Sequence, residues 1–167
     1  MKKIITLALV SALALTASIT AFATDITPDT PAPKEADTNV IFDVAPTYTI
    51  TIPSEITLEQ KTENGVTTYE KVLEITADSV KLPKTKQIAV TMTGDFKFTA
   101  DDTDQSTVDY TVTVGNSTTA IANGDRVATF STNTAQQSSK LNFKANEPEY
   151  AGKYEDTVTF NIAIENA

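Results

Sequence analysis

The chain of 167 residues contains no cysteine, no histidine and no tryptophan. Without cysteine there is no disulfide, no thiol nucleophile and no site for a lipoprotein anchor, so stability rests on burial and sheet hydrogen bonds. Without histidine the commonest general base and zinc ligand is missing. Without tryptophan the broadest aromatic platform for a sugar is missing too. Positive charge is also short: 13 basic residues face 22 acidic ones, a net charge of −9. Binding nucleic acid or anionic lipid requires basic side chains that displace counterions, so this balance argues against both. Long apolar runs are confined to the first few residues, and no later stretch approaches the roughly 20 residues needed to cross a bilayer as a helix.

That first run has a specific form. Lys2 and Lys3 precede an apolar segment from Ile4 to Leu15, and Ala21-Phe22-Ala23 ends it with small residues before a cut. A charged start, a short apolar middle and an Ala-x-Ala end predict a secretory signal over residues 1–23, cleaved between Ala23 and Thr24. Its removal leaves 144 residues, enough for one domain with its own core, carrying 11 basic and 22 acidic side chains. The expected location is outside the cell, secreted or held at its surface.

Residues 24–39 (TDITPDTPAPKEADTN) hold Pro28, Pro31 and Pro33 among small and charged residues. Proline fixes φ and lacks a donor, so this stretch is expected to be an extended spacer. From Val40 the pattern changes to period two, and 40–167 is expected to form one domain. Val40, Phe42 and Val44 alternate with Ile41 and Asp43, and Tyr48, Ile50 and Ile52 with Thr49 and Thr51. Further runs follow at Ile56–Leu58, Leu73–Ile75, Ile88–Met92, Phe96–Phe98, Val108–Val114, Leu141–Phe143 and Val158–Ile164. Alternation of this kind puts one face of a strand on a core and the other in water. Threonine occupies 27 positions after residue 23, mostly in outward slots, where a branched Cβ suits the pleat and the hydroxyl tolerates water. Turn signals separate the runs: Asn64-Gly65, Gly94-Asp95, Gly115-Asn116 and Asn123-Gly124-Asp125. Short strands at this spacing describe a sandwich or a small barrel; the sandwich is the expectation, all-β and antiparallel.

Few residues suggest chemistry, and no cofactor is implied. Asp102, Asp104 and Ser106 have the alternate spacing that opens a calcium loop, and they are the metal candidate. The glycine and glutamate that bend and close such a loop are missing. Leu82-Pro83-Lys84-Thr85 matches four positions of the sortase pattern, but Lys86 replaces its glycine and the match sits in mid-domain, so it reads as a turn. An intramolecular Lys–Asn bond would use Asn161, which parity points outward. Tyr48 and Tyr110 fall on the inward parity. Tyr69 and Tyr150 remain as candidate ligand-binding aromatics, against the ordinary reading of a tyrosine packed over a sandwich corner.

Tyr150 to Ile162, YAGKYEDTVTFNI, resembles the closing strand of spore coat U-type and pilin-like secreted domains. There a glycine-containing turn precedes a Thr/Val-alternating last strand. Pro46 to Pro53, PTYTITIP, is similar to small surface proteins of Gram-positive gut bacteria. The resemblance implies an immunoglobulin-like sandwich and, in many members, assembly by donation of a strand to a neighbour. The chain differs from usher-type pilins in having neither their cysteine pair nor their aromatic near the C-terminus.

The leading reading is a non-enzymatic structural or adhesive module of the cell surface or extracellular matrix, with partners in itself, the cell wall or a host surface. Val40–Val44, placed after the spacer, would complete its own sheet or a neighbour's edge. The alternative is a soluble module that binds carbohydrate or another wall component. A third reading, a hydrolase with paired carboxylates, has no pair that the sequence singles out.

Overall fold

The computed structural model describes residues 28–29, 38–101, 106–132 and 136–167. The expected signal and its cut, nearly all of the spacer, and Asp102 and Asp104 of the calcium candidate lie outside the described residues.

The described chain is all-β. β1 (Thr47–Thr51), β2 (Glu59–Glu63), β3 (Val66–Lys81), β4 (Lys86–Thr93) and β5 (Lys97–Ala100) are followed by β6 (Thr107–Val114) and β7 (Arg126–Phe130). β8 (Gln137–Asn146), β9 (Tyr154–Glu155) and β10 (Thr159–Asn166) complete the order. A seven-stranded sheet runs β1-β3-β8-β6-β5-β9, with β2 added beside β3; a three-stranded sheet runs β10-β4-β7. Every pairing is antiparallel. Both sheets feed one core: Leu73, Ile75, Val112, Leu141 and Phe143 come from the large sheet, and Ile88, Val90, Met92, Val127 and Phe130 from the small one. This is the two-layer arrangement that alternation predicts.

Local chemistry explains the connections. Asn64 (φ 54°) and Gly65 (φ 80°) both take positive φ between β2 and β3, as a two-residue hairpin turn requires. Leu82–Thr85 links β3 to β4 through a tight turn over Pro83–Lys86, with the Lys86 amide donating to the Pro83 carbonyl at 2.9 Å. β3 changes its inward parity at Ser79, a non-glycine residue with φ 54°. Its register against β1 shifts there, and both Ala77 and Val80 turn to the core. A bulge is the device that permits this, because one extra residue flips every side chain that follows. A second register shift, between β4 and β7, leaves adjacent Val127 and Ala128 both buried.

Three expected strand segments are corrected. Val40–Val44 forms no strand with any of the described residues; Pro46, which has no amide hydrogen, parts it from β1. Ile56 and Leu58 lie in an irregular segment that packs both side chains against the core instead of pairing. Phe96 sits just before β5 with φ 55°.

Candidate functional site

Two features of the described chain have unmet binding capacity: an open sheet edge with a loose apolar segment, and a cleft beside the core.

The edge belongs to β10. Phe160, Ile162 and Ile164 face inward from it, opposite Met92, Val90 and Ile88 of β4. The β4 residues are completely buried, whereas Phe160 and Ile162 are only half-buried and Ile164 is 44% exposed. Burial thus fails across a single strand spacing, at the side where β10 has no further partner among the described residues. The opposite side of the small sheet is tied down. Ser139 Oγ of β8 donates to the Val127 carbonyl of β7 at 2.7 Å, and Thr132 Oγ1 bonds both the amide and the carbonyl of Leu82. Elsewhere Val40 and Phe42 are 88% and 87% exposed, with Ile41 and Val44 also exposed. Three of these alternate at strand spacing, so a single pleated face would carry Val40, Phe42 and Val44.

The cleft arises because the large sheet is wider than the small one. Beyond the small sheet its inner face is lined by the irregular residues 55–58 and by residues 152–156 around β9. A cleft of about 440 Å³ lies between them, lined by Ile56, Leu58, Tyr69, Phe98, Val108 and Tyr154 among others. Tyr69 is paired with Ala145 across β3 and β8, and Phe98 with Val108 across β5 and β6, which sets their rings on one face. Glu55, Lys153, Glu155 and Asp156 stand around these apolar groups.

Tyr110 anchors the second segment. Its ring packs against Phe98 (centroids 4.4 Å), Phe96 (5.8 Å) and Phe143 (5.9 Å), and its hydroxyl donates to Asp156 Oδ2 at 2.7 Å. Burial first, then the Asp156 carboxylate and its charge, holds this phenol far above the ordinary tyrosine range. Asp156 also accepts the Thr157 amide at 2.6 Å. Within the same stretch of the lining Lys153 pairs with Glu155. Its pKa is raised first by that hydrogen bond and charge, with smaller contributions from Asp101 and Glu55.

The two candidate tyrosines have different fates. Tyr69 lines the cleft and packs on the core. Tyr150 is 57% exposed, does not line the cleft, and offers its carbonyl to the Tyr154 hydroxyl at 2.9 Å. Tyr154, rather than Tyr150, is therefore the corner tyrosine whose hydroxyl is bonded to backbone. Sequence reasoning missed Phe98, Leu58 and Asp156 as cleft residues, since each reads as core or solvated loop. Ser106 is half-buried just before β6, where its carbonyl accepts the Ala100 amide at 2.8 Å. No group of three or more His, Cys, Asp or Glu that could hold a metal occurs among the described residues. Asn161 is exposed. A broader depression of about 710 Å³ on the outward side of the large sheet, beside Val72, Thr111 and Asn142, has paired charges, with Lys144 Nζ 2.7 Å from Glu70.

No protein-family model matches the chain, and comparison with curated proteins gives no significant match. Its fold is similar to that of a chain in the solved structure of a chaperone–tip adhesin complex described as vital for synergistic activation of CFA/I fimbriae biogenesis. The TM-score is 0.53 at 13% identity, over 69% of this chain and 40% of that one. The chain thus spans less than half the length of the protein it resembles. At this identity the likeness establishes an all-β, sandwich-type fold and nothing finer. No described helix is long and apolar enough to cross a membrane.

Proposed function

We propose that this is a secreted, non-enzymatic structural or adhesive module that assembles at the cell surface through strand edges. Val40–Val44 of one copy would pair beside β10 of the next. Residues 1–23 leave as a signal, residues 24–39 act as the spacer that lets Val40–Val44 reach away from its own domain, and partners are other copies or a wall or host surface component.

One observation carries the reading: the described residues include an unpaired alternating apolar segment and an open edge whose inward residues lose burial. Pairing one with the other would satisfy backbone groups on both and cover Phe160, Ile162 and Ile164. At about 25 cal/mol per Å² of apolar area, covering several half-exposed side chains stabilises by a few kcal/mol in gross terms. The likeness to a chain of a fimbrial chaperone–adhesin complex is compatible with this reading.

The test is the size of the purified protein, residues 24–167, by light scattering coupled to size exclusion, beside a chain lacking residues 24–45. Oligomers from the first and a folded monomer from the second are expected. Unchanged size after the deletion, or a monomer from the outset at high concentration, would remove strand donation.

A further inference from the structure

The cleft between residues 55–58 and 152–156 is the second unmet feature, and it is independent of the β10 edge. Its inner surface is apolar but wet: Ile56, Leu58, Tyr69, Phe98 and Val108 are all half-buried, although each packs on the core. Half-exposed apolar groups gathered in a concavity are the usual ground of a ligand site, and about 440 Å³ lies within the size range of such sites.

The charges around the cleft indicate what it would take. Glu55, Glu155 and Asp156 bring three carboxylates against one ammonium, that of Lys153. Lys153 is spent on Glu155, while the Asp101 and Glu55 carboxylates also act on it. A cation entering the mouth meets a field that the built-in lysine leaves uncancelled, whereas a neutral ligand gains nothing from it. Two of the three aromatic groups that line the cleft are already engaged, which leaves Tyr69 as the one ring open to a sugar. Phe98 is packed on Tyr110 at 4.4 Å, and the Tyr154 hydroxyl is committed to the Tyr150 carbonyl. An aliphatic or aromatic side chain can still fill the apolar space, because that contact needs no free ring face.

We infer that this cleft binds a short basic polypeptide segment, one apolar side chain lying over Tyr69 and Leu58 and a flanking Lys or Arg meeting Glu55 and Glu155. The module then carries a recognition site as well as an assembly edge, on different parts of its surface.

The experiment is calorimetric and NMR titration of the purified protein with acetyl-Lys-Phe-Lys-amide, acetyl-Glu-Phe-Glu-amide and cellotriose. The basic peptide is expected to bind saturably, to shift amides at 55–58 and 153–156, and to weaken as salt rises. The acidic peptide should bind at least about ten-fold more weakly. Glu55→Gln with Glu155→Gln should lower affinity for the basic peptide by about three- to ten-fold without changing the melting temperature. Glu74→Gln, on the outward face of β3, should change nothing. Leu58→Ser should lower affinity for both peptides, and its own melting curve tells lost binding from lost folding. Equal binding of the two peptides, shifts mapping away from the cleft, or no saturable binding at millimolar peptide would overturn the inference. Cellotriose binding at these amides would reassign the cleft to sugar and overturn it as well.

Discussion

Removing one oxygen atom should detach a wall of the cleft from the domain. In Tyr110→Phe the ring keeps its packing on Phe96, Phe98 and Phe143, so the apolar contribution is preserved. What is lost is the 2.7 Å hydrogen bond to Asp156. A hydrogen bond to a charged acceptor contributes about 1.5–3 kcal/mol, and its loss leaves the carboxylate beside a ring that cannot donate. Asp156 keeps the Thr157 amide, so its charge is only partly orphaned, and the lower half of that range applies. For a domain of this size that corresponds to a fall in melting temperature of about 4–9 °C. Urea unfolding of Tyr110→Phe, Asp156→Asn and the double variant would measure it. The two single costs should fail to add, with a coupling of at least about 1 kcal/mol. Hydrogen exchange at residues 153–158 should also rise in Tyr110→Phe while amides of β4 stay protected. A cost below about 0.5 kcal/mol, or additive variants, would refute the view that this hydroxyl fastens the segment.

Other consequences can be checked alongside. Glu70 accepts from Lys144 Nζ at 2.7 Å and from Thr68 Oγ1 at 3.1 Å, and chiefly the Lys144 bond holds its carboxyl below the ordinary value. A folded-state value below the unfolded one gives stability that is present above the unfolded pKa and is lost as pH falls through the folded one. Glu70→Gln should therefore flatten part of the acid limb of a stability–pH curve and leave its neutral part parallel to that of the parent. Gly65→Ala forces a Cβ onto a φ of +80° in open space, so strain alone should cost about 1–2 kcal/mol, read by urea unfolding. Ile162→Lys places a charge on the half-buried inward row of β10. It should abolish edge-mediated oligomers in light scattering while the monomer keeps its β-sheet circular dichroism. Leu141→Ala, at a fully buried position, should destabilise by about 2–5 kcal/mol.

The parts legible in the sequence are those where one residue's neighbours decide its structure. Alternation located β1, β4, β6, β8 and β10, because a strand with a dry face and a wet face must alternate. Asn64-Gly65 marked a hairpin, because few other pairs hold positive φ twice. β2 was illegible: EQKTE has no apolar face and all five residues are exposed. It is a strand because the turn folds it back on β3, with Thr62 meeting Thr67 and Lys61 near Glu63 and Glu70. Val40–Val44 gave the opposite error, a strand pattern without a strand, since pairing needs an edge and sequence periodicity cannot supply one. Tyr69 was singled out as an aromatic, but its partners in the cleft come from β5, β6, the end of β8 and the residues at 55–58 and 152–156.

By itself the sequence determined that the protein is all-β, that it lacks the side chains of the commonest catalytic and metal sites, and which residues face inward in strands that alternate without a bulge. Those are properties of composition and of spacing two residues apart. Tertiary structure alone decided that the large sheet outruns the small one, that β10 has an open side among the described residues, and that Glu55, Lys153 and Asp156 line one cleft. Such facts depend on which strands become neighbours, and that choice is made by burial summed over the whole core, where no local pattern records it.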